Sequence, residues 1–428
     1  MRKLELRGAL DTLSSEVFSA LQLCTVNKPL FPNLKTLDLW STEGRFIPFI
    51  PLFLSPGTTA ISITFIIGSP ALKSMVASIA TALPILCPNL QSISLRRMPI
   101  DPMITAAVSG MLLATNRNTL RSFRVDSPLT KESREVIYRL PDLCELSTVI
   151  EKGTPLPPAV LPNLTDLMIT YDDGDDWMQL FHRATLQNLE SVDFYTQSRQ
   201  IGDFLGAFAK MALATSVQNT LSAFSLSTSC SWSPNYRSLL PFTRLGDLVI
   251  EFSCDDDCSS RVDDDIIIDL ARAMPKLETL HLGEAPCRQI PIGVTVKGLL
   301  ALANYCLDLF TLRIHFQVDS LSVRPAAAGM TSNAGSITSR KDCALRELEV
   351  GDISVPEGSV STVALTLVRI FPRLGSIGYT DDETWDEVEE AICSSRRIVD
   401  YSGKEHPLTI PRSNPNDIPT GSTLESGS

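Results

Sequence analysis

A short phrase of apolar residues recurs along this chain. In Leu34-Lys-Thr-Leu37-Asp-Leu39, a Leu is followed by two variable residues, an apolar residue, one variable residue and a second apolar residue. A Pro often stands two positions before the first Leu, as Pro32 does here. Further copies begin at Leu90, Leu120, Leu143, Leu164, Leu189, Leu221, Leu245, Leu277, Leu309, Leu345 and Leu374, with less regular copies at Met1 and Thr58. Such a recurrence predicts an architecture of stacked repeats.

Each copy of the phrase predicts one β-strand. Residues two apart in a strand point to the same face, so Leu37 and Leu39 are expected in one core. Leu34 enters that core from the preceding turn, and Pro32 is tolerated there because the strand has not yet begun. The step between copies varies from 21 residues, between Leu143 and Leu164, to 36 residues, between Leu309 and Leu345. About 13–14 irregular repeats are therefore expected.

The stretches between several phrases have helical patterns. Residues 263–274 begin with three acids and carry Arg272 near their end, as the helix dipole favours. The predicted helices span residues 73–83, 130–139, 201–214, 263–274, 294–305 and 359–370. A strand followed by a helix in each repeat predicts an α/β solenoid of horseshoe shape, with a parallel sheet on the concave face and helices on the convex face.

The phrase resembles the leucine-rich repeat. Its Pro-Asn-Leu form with long, uneven repeats is most similar to the repeat region of fungal F-box proteins. The resemblance implies that the chain is like the substrate-binding part of a ubiquitin-ligase receptor. In that family an F-box before the repeats recruits a Skp-type adaptor. This chain opens inside a repeat at Met1, so an adaptor is expected as a partner only if an F-box lies upstream.

The solenoid is predicted to cover residues 1–400. Residues 317–342 break the repeat rhythm and are expected to form a flexible insertion. Residues 384–397 start with acids, end with bases, and place Trp385 at a helical spacing from Val388, which predicts a C-terminal capping helix. Residues 404–428, rich in Pro, Ser, Thr and Asn, are expected to be a disordered tail.

The variable slots of the phrase predict which side chains line the concave face. The residue between the two apolar positions and the residue just after them point away from the core. Several of these are Trp, Tyr, Arg or His, types found at binding hot spots. The candidate protein-binding residues are Trp40, Arg96, Arg124, Asp193, Tyr195, Glu251, His281, Arg313 and His315. The plainer interpretation is that any solenoid must place polar residues there.

Charge and hydropathy narrow the partner classes. The net charge of −12 argues against nucleic acid and anionic membranes as the main partner. Residues 46–95 carry only one charge, Lys73, which leaves a membrane span and a buried solenoid segment as alternatives. Pro48, Pro51, Pro56, Pro70 and Pro84 are among the prolines that interrupt that stretch, and its alternation around Ile61 and Ile63 is typical of a strand. We therefore expect no membrane association.

Cysteines and acidic clusters suggest little chemistry. Cys87, Cys306 and Cys343 stand just before repeat leucines and are interpreted as reduced core thiols, which favours a cytoplasmic or nuclear protein. A zinc site at Cys254 and Cys258 lacks the further ligands that zinc requires. The acidic clusters at 172–176, 254–258, 263–265 and 381–383 are open to three interpretations: calcium sites, docking patches for a basic partner, or solvated loops and helix caps. No cofactor or metal is predicted.

Catalysis finds little support in the sequence. The chain has four His and contains no Gly-x-Ser-x-Gly motif. His281 and His315 are expected at equivalent positions of consecutive repeats. The leading hypothesis is a non-enzymatic protein-recognition solenoid. The alternatives are a stand-alone leucine-rich scaffold without a ubiquitin role and a hydrolase embedded in the repeats.

Overall fold

The fold is known from a computed structural model of the chain. The residues that the structure describes are 2–7, 14–24, 28–42, 44–66, 72–115, 119–151, 160–171, 186–196, 204–229, 234–253, 262–283, 293–318, 343–350, 355–356, 358–378 and 384–399.

Fourteen parallel strands form a single sheet within the described residues, and their order in the sheet is their order in the chain. The strands are β1 Lys3–Arg7, β2 Thr36–Thr42, β3 Ala60–Phe65, β4 Ser92–Arg96, β5 Ser122–Pro128, β6 Glu145–Ile150, β7 Asp166–Tyr171, β8 Ser191–Thr196, β9 Ala223–Ser229, β10 Asp247–Ser253, β11 Thr279–Leu282, β12 Thr311–Ile314, β13 Glu347–Glu349 and β14 Ser376–Gly378. Each strand pairs only with its neighbours in sequence, which is the topology of a solenoid.

Helices connect many of these strands. The α-helices are α1 Ser15–Cys24, α2 Leu72–Leu86, α3 Pro102–Ala114, α4 Lys131–Ile137, α5 Phe204–Thr215, α6 Asp264–Ala273, α7 Val296–Tyr305, α8 Val360–Ile370 and α9 Thr384–Val399. Short 3-10 helices span Gly44–Leu52, Val217–Asn219 and Tyr236–Leu239.

The repeated phrase places its apolar residues in the core, as its pattern predicts. In the repeat that contains β11, Leu277, Leu280 and Leu282 are all buried. The register pairs Leu280 with Leu248 of β10 and with Leu312 of β12, so equivalent leucines stack along the sheet. A continuous core therefore runs between the sheet and the helices.

The difference between the strand spacing and the helix spacing determines the curvature of the solenoid. Neighbouring strands lie about 4.8 Å apart, whereas packed helices need about 8–10 Å. The sheet therefore lines the inner, concave side and the helices occupy the outer, convex side. The fold is an α/β leucine-rich-repeat solenoid, which confirms the fold class predicted from the phrase.

The six helices predicted between the phrases correspond to α2 and to α4 through α8, whereas α1 and α3 were not predicted. Helix α3 is missed because Pro102–Ala114 is apolar on nearly every side and shows no polar face. Its beginning carries a clear signal, since Asp101 accepts a hydrogen bond from the backbone nitrogen of Met103 and Pro102 follows it. Helix α1 and the 3-10 helix Gly44–Leu52 were likewise not expected.

The apolar stretch 46–95 is built into the solenoid. Its described residues form part of a 3-10 helix, then β3, α2 and β4, with Ile61, Val76 and Ile93 buried in the common core. Across the described part of the chain, no helix has the length and apolar character needed to cross a membrane.

A ladder of backbone hydrogen bonds joins every repeat to the one before it. The residue just before each strand donates its N–H to the carbonyl of the equivalent residue of the preceding repeat, as in Glu278 to Gly246 at 2.7 Å. The next residue, Thr279, donates to the same carbonyl at 2.9 Å. Along the described chain the donors of this ladder are Lys35, Thr59, Gln91, Arg121, Cys144, Thr165, Glu190, Ser222, Gly246, Glu278, Phe310, Arg346 and Gly375, at 2.7–2.9 Å.

Side chains reinforce this ladder in the turns before the strands. Asn163 Nδ2 donates to the carbonyl of Pro141 at 2.9 Å, and Asn188 Nδ2 donates to that of Pro162 at 2.8 Å. Thr220 Oγ1 donates to the carbonyl of Leu189 at 2.7 Å. In these two repeats the Asn just before the repeat Leu therefore connects neighbouring repeats in the turn that precedes the strand.

The three core cysteines lie in the same turns that precede the strands. Cys87, Cys306 and Cys343 are free thiols and buried. The Cys306 thiol lies 3.5 Å from the carbonyl of Met274, and the Cys343 thiol lies 3.7 Å from the carbonyl of Cys306. Burial raises the pKa of Cys87 to about 11 and that of Cys306 to about 12. These thiols are therefore protonated at neutral pH.

The acidic cluster at 263–265 belongs to helix caps. Asp263 Oδ1 accepts a hydrogen bond from the N–H of Ile266 and caps its own helix, α6. Asp264 Oδ1 accepts from the N–H groups of Thr295 and Gly298 at 2.8 and 2.9 Å, so it caps α7 in the next repeat. Among the described residues, no group of three or more His, Cys, Asp or Glu is placed to hold a metal ion.

The other acidic clusters, at 172–176, 254–258 and 381–383, lie outside the described residues, as do Cys254 and Cys258. Most of the expected insertion, residues 319–342, and the whole of the expected tail also lie outside them.

The described chain ends in α9, which packs against α8 and β14. Its Trp385, Val388 and Ile392 are buried in the common core, and the Trp385 ring meets the Phe316 ring edge-on at 6.4 Å between centroids. The apolar side of α9 therefore covers the last repeat.

Replacing Asp264 tests the contribution of the cap between repeats. We expect Asp264→Ala to lower the free energy of unfolding by about 1–2 kcal/mol, because two helix N–H groups and Thr295 Oγ1 lose their acceptor. The matched control is Asp265→Ala, which removes the same charge from the same helix but only an exposed ion pair to Lys297. Urea denaturation of both variants is the measurement, and equal losses would contradict the assigned role of Asp264.

Candidate functional site

The concave face carries three columns of side chains that run across the sheet. The first column holds the residue before the first apolar strand position, the middle column the residue between the two apolar positions, and the third column the residue after them. The strand register keeps each column aligned, as in the pairing of Met168 with Asp193 and of Asp193 with Ser225 in the middle column. The middle column consists of Glu5, Asp38, Ser62, Ser94, Arg124, Ser147, Met168, Asp193, Ser225, Val249, His281, Arg313, Glu349 and Gly378.

Eight of the nine residues predicted to line the concave face lie on strands of the sheet, and His315 follows the end of β12. Four of them, Arg124, Asp193, His281 and Arg313, lie in the middle column. The other five lie at third-column positions or just beyond the strand end, and they are Trp40, Arg96, Tyr195, Glu251 and His315.

The nine residues do not form one compact site. Trp40 on β2 and Arg313 on β12 are ten strand spacings apart, which corresponds to about 48 Å along the sheet. In strand order the nine residues form an amino-terminal group of Trp40, Arg96 and Arg124, a central group of Asp193, Tyr195 and Glu251, and a carboxyl-terminal group of His281, Arg313 and His315, and the last two groups meet at the adjacent strands β10 and β11. A surface of this length fits a macromolecule better than a small molecule.

Ion pairs within the sheet neutralise the arginines of the middle column. A terminal nitrogen of Arg124 lies 3.1 Å from Glu145 Oε2, which also accepts a hydrogen bond from Ser122 Oγ. Arg313 Nε lies 3.2 Å from Glu349 Oε2. Both pairs cross from one repeat to the next, and both remain partly exposed at the surface.

Two members of the amino-terminal group, Trp40 and Arg96, lie on the strands that flank β3. Thr64 of β3 pairs with Arg96 of β4 and is buried, whereas the side chain of Arg96 is exposed. Trp40 on β2 is 45% exposed. A register irregularity between Leu39 and Thr42 marks the end of β2, where Trp40 lies. This end of the face therefore offers an indole and a guanidinium on either side of a strand.

The central group is acidic. Asp193 accepts a hydrogen bond from Ser225, and Glu251 Oε2 accepts one from Ser227 Oγ at 3.2 Å. Burial raises the pKa of Asp193; the hydrogen bond from Ser225 opposes this shift, and the like charge of Glu251 adds to it. The face thus holds a carboxylate in surroundings that disfavour its charge.

His281 is the half-buried member of the carboxyl-terminal group. Burial is the main cause that lowers its pKa, and Arg313 lowers it further, while Glu349, Glu251 and Asp247 act in the opposite direction. Its Nε2 atom is buried and has no hydrogen-bond partner among the described residues. The imidazole is therefore neutral at neutral pH.

The positions of the two histidines correct one expectation. His281 pairs with Arg313 in the register, whereas His315 comes two residues after Arg313. A side-chain carbon of His315 instead lies near Gly283, 3.7 Å from where a Cβ on that glycine would stand. The expectation that the two histidines occupy equivalent positions is wrong, because His281 lies between its two apolar residues and His315 lies after them.

The register shows which side chains stand beside His281 in the middle column. Its neighbours in the middle column are Val249 and Arg313, so neither adjacent position provides a hydroxyl or thiol nucleophile.

Sequence reasoning missed several residues of the face. Met168 occupies the middle slot of its phrase and is 39% exposed. Asp166 and Asp247 belong to the first column, whose side chains share the concave face because they lie two positions before the middle slot. The alternation of the phrase already contained this signal at the position before its first apolar strand residue.

Comparisons with known proteins add little to this picture. No protein family and no curated protein sequence matches the chain. The solved structures that resemble it include a chain of the crystal structure of the Rad7 and Elc1 complex in yeast, which is 15% identical, covers 65% of this chain and 77% of that chain, and gives a TM-score of 0.38. That similarity is too distant to say anything about function.

The depressed pKa of His281 predicts a loss of stability in acid. The unfolded chain binds a proton at His281 near pH 6.5, whereas the folded chain resists it, so stability from this group falls as the pH drops below about 6.5. We expect His281→Gln to lose less stability than the unaltered chain between pH 7.5 and 5.5. Urea midpoints at the two pH values are the measurement, and an unchanged pH dependence would refute the assignment.

The raised pKa of Asp193 predicts that neutralising it stabilises the fold. Asp193→Asn removes the buried charge and its repulsion from Glu251, while the amide oxygen still accepts the hydrogen bond from Ser225. We expect a higher urea midpoint at pH 7.5 and a gain that shrinks as the pH falls toward 4, because protonation then removes the unfavourable charge of Asp193 in the unaltered chain as well. A lower midpoint at pH 7.5 would show that the carboxylate stabilises the fold instead.

Proposed function

We propose that the protein is a non-enzymatic recognition module whose concave face binds a protein partner. The observation that carries the proposal is the spread of the nine candidate residues over about 48 Å of one continuous sheet face. A protein chain that crosses several strands is able to contact all three groups of that face.

The composition of the face supports the proposal. Trp40, Met168 and Tyr195 are 45%, 39% and 42% exposed, respectively. Aromatic residues, Met and Arg are enriched where proteins bind one another, and a few such anchors carry most of the binding free energy. The uninterrupted register also fixes the anchors relative to one another, which lowers the entropy cost of binding.

A narrower version of this function is that recognition delivers a substrate to a ubiquitin ligase. The likeness of the Pro-Asn-Leu phrase to fungal F-box repeats supports this version. The alternative is a scaffold without a ubiquitin role. A pull-down of a Skp-type adaptor with this chain distinguishes the two, because retention of the adaptor supports ligase recruitment by this chain and failure to retain it rules that out.

A matched pair of tyrosines tests the binding face. Tyr195 lies on the concave face and Tyr305 at the end of α7 on the convex side, and both are 42% exposed. After affinity purification and mass spectrometry identify a partner, we expect Tyr195→Ala to weaken its binding at least fivefold, about 1 kcal/mol, and Tyr305→Ala to change it less than twofold. Surface plasmon resonance is the measurement, and the reverse result would place the binding site on the convex side.

A further inference from the structure

We infer that the central strands of the concave face bind an extended basic segment of the partner protein, with an apolar residue between its Lys or Arg side chains. The central band, as we name it, comprises the concave side chains of β7 to β10. This inference rests on the proposed function and specifies the chemistry of the partner.

The central band carries four acids and no base in its three columns. The acids are Asp166, Asp193, Asp247 and Glu251. None of them makes an ion pair with another residue of the described chain. The remaining members of the columns are Met168, Thr170, Ser191, Tyr195, Ala223, Ser225, Ser227 and Val249.

The bases that flank the band are already engaged. Arg124 on one side pairs with Glu145, and Arg313 on the other side pairs with Glu349. The positive charge of each arginine is therefore largely cancelled by a carboxylate on the neighbouring strand. The negative potential of the central band remains available to a cationic partner.

An exposed apolar pair accompanies these acids. Met168 of β7 lies opposite Asp193 of β8, and Tyr195 follows two positions later on β8. Diagonal neighbours of this kind lie about 7–8 Å apart at their Cα atoms, within reach of a long or aromatic side chain. Met168 and Tyr195 thus provide a contact surface for an apolar residue beside the carboxylate of Asp193.

The spacing of the acids suits an extended chain. Asp166 and Asp193 are offset by one strand and two residues, which corresponds to about 8 Å between Cα atoms. Asp193 and Glu251 are offset by two strands and two residues, or about 12 Å. Residues two to four apart in an extended peptide span about 7–13 Å, so such a peptide matches both distances.

The same spacing argues against a metal ion as the ligand. A calcium ion holds its oxygen ligands at about 2.3–2.6 Å, and carboxylates on backbone positions so far apart do not converge on one point. Burial of Asp193 beside Glu251 gives an additional reason for a cation to bind, since it relieves the unfavourable charge of that carboxylate.

A synthetic probe tests the inference directly. The probe is a fluorescein-labelled peptide with the sequence Lys-Leu-Arg-Trp-Lys-Leu-Arg, measured by fluorescence anisotropy in 150 mM salt against the full chain. We expect Asp193→Asn combined with Glu251→Gln to weaken probe binding at least tenfold. The double variant is expected to remain folded, because neutralising Asp193 removes an unfavourable buried charge.

The matched control removes two charges elsewhere. Glu387→Gln with Glu390→Gln neutralises two exposed acids of α9, and we expect it to weaken the probe less than twofold. Equal losses in the two double variants would reveal attraction by net charge alone and overturn the inference.

The apolar contact has its own test. Replacing Leu and Trp of the probe with Ser keeps its charge, and we expect the unaltered chain to bind this second probe at least fivefold more weakly. In the double variant Met168→Ala with Tyr195→Ala, the two probes are expected to bind with similar affinity. If spermine displaces the first probe as strongly as an unlabelled copy does, the site recognises any polycation and the inference fails.

Binding of the identified partner separates this inference from the proposed function. If Tyr195→Ala weakens the partner but Asp193→Asn with Glu251→Gln does not, the concave face is the binding face and the basic segment is refuted. If neither variant weakens the partner, the proposed function itself is refuted.

Discussion

The backbone hydrogen bonds that precede the strands are the constraint on which the rest of the structure depends. Each connecting carbonyl accepts N–H groups from two consecutive residues of the next repeat, as Gly246 does from Glu278 and Thr279. These bonds set the register before each strand begins, so the apolar positions of every phrase face the same core. They also hold the turn in place while the connections to the next strand vary in length and helical content. Regular strands and irregular connections therefore coexist in one solenoid.

Because of that register, the residues that stabilise the core and the residues that are exposed for binding occupy different positions of the phrase. The apolar positions of a phrase are committed to the core, where Leu280 contacts the repeats on both sides. The slots between them face outward and hold side chains as different as Met168, Asp193 and His281. The unfavourable interactions are found at particular places, such as the buried charge of Asp193 and the buried Nε2 of His281, which has no hydrogen-bond partner in the described part of the chain. Polar groups held in unfavourable surroundings are common where a surface is shaped for binding.

The sequence alone was sufficient to predict structural features that are local and periodic. The alternation of apolar residues predicted the strands, and the acids and base of Asp264–Ala273 predicted that helix. Helix α3 was not predicted, because a helix that is apolar on most sides shows no periodic alternation of apolar and polar residues. Contacts between repeats were also not predicted, because they join residues that are far apart in the sequence. Asp264 caps a helix that begins about 30 residues later, and Arg313 pairs with Glu349 from the next repeat. The concave side chains were predicted from alternation alone, but their division into three groups required the order of the strands.

The buried thiols of the repeat turns have a consequence for how opening of the solenoid is observed. Cys87 lies in the amino-terminal part of the stack, whereas Cys306 and Cys343 lie near its other end. A protonated, enclosed thiol does not react with an alkylating reagent until its own repeat separates from its neighbour. In a structure where each repeat contacts only adjacent ones, such separation proceeds locally. The rate at which each cysteine is labelled therefore reports how often that part of the solenoid opens, without any engineered probe.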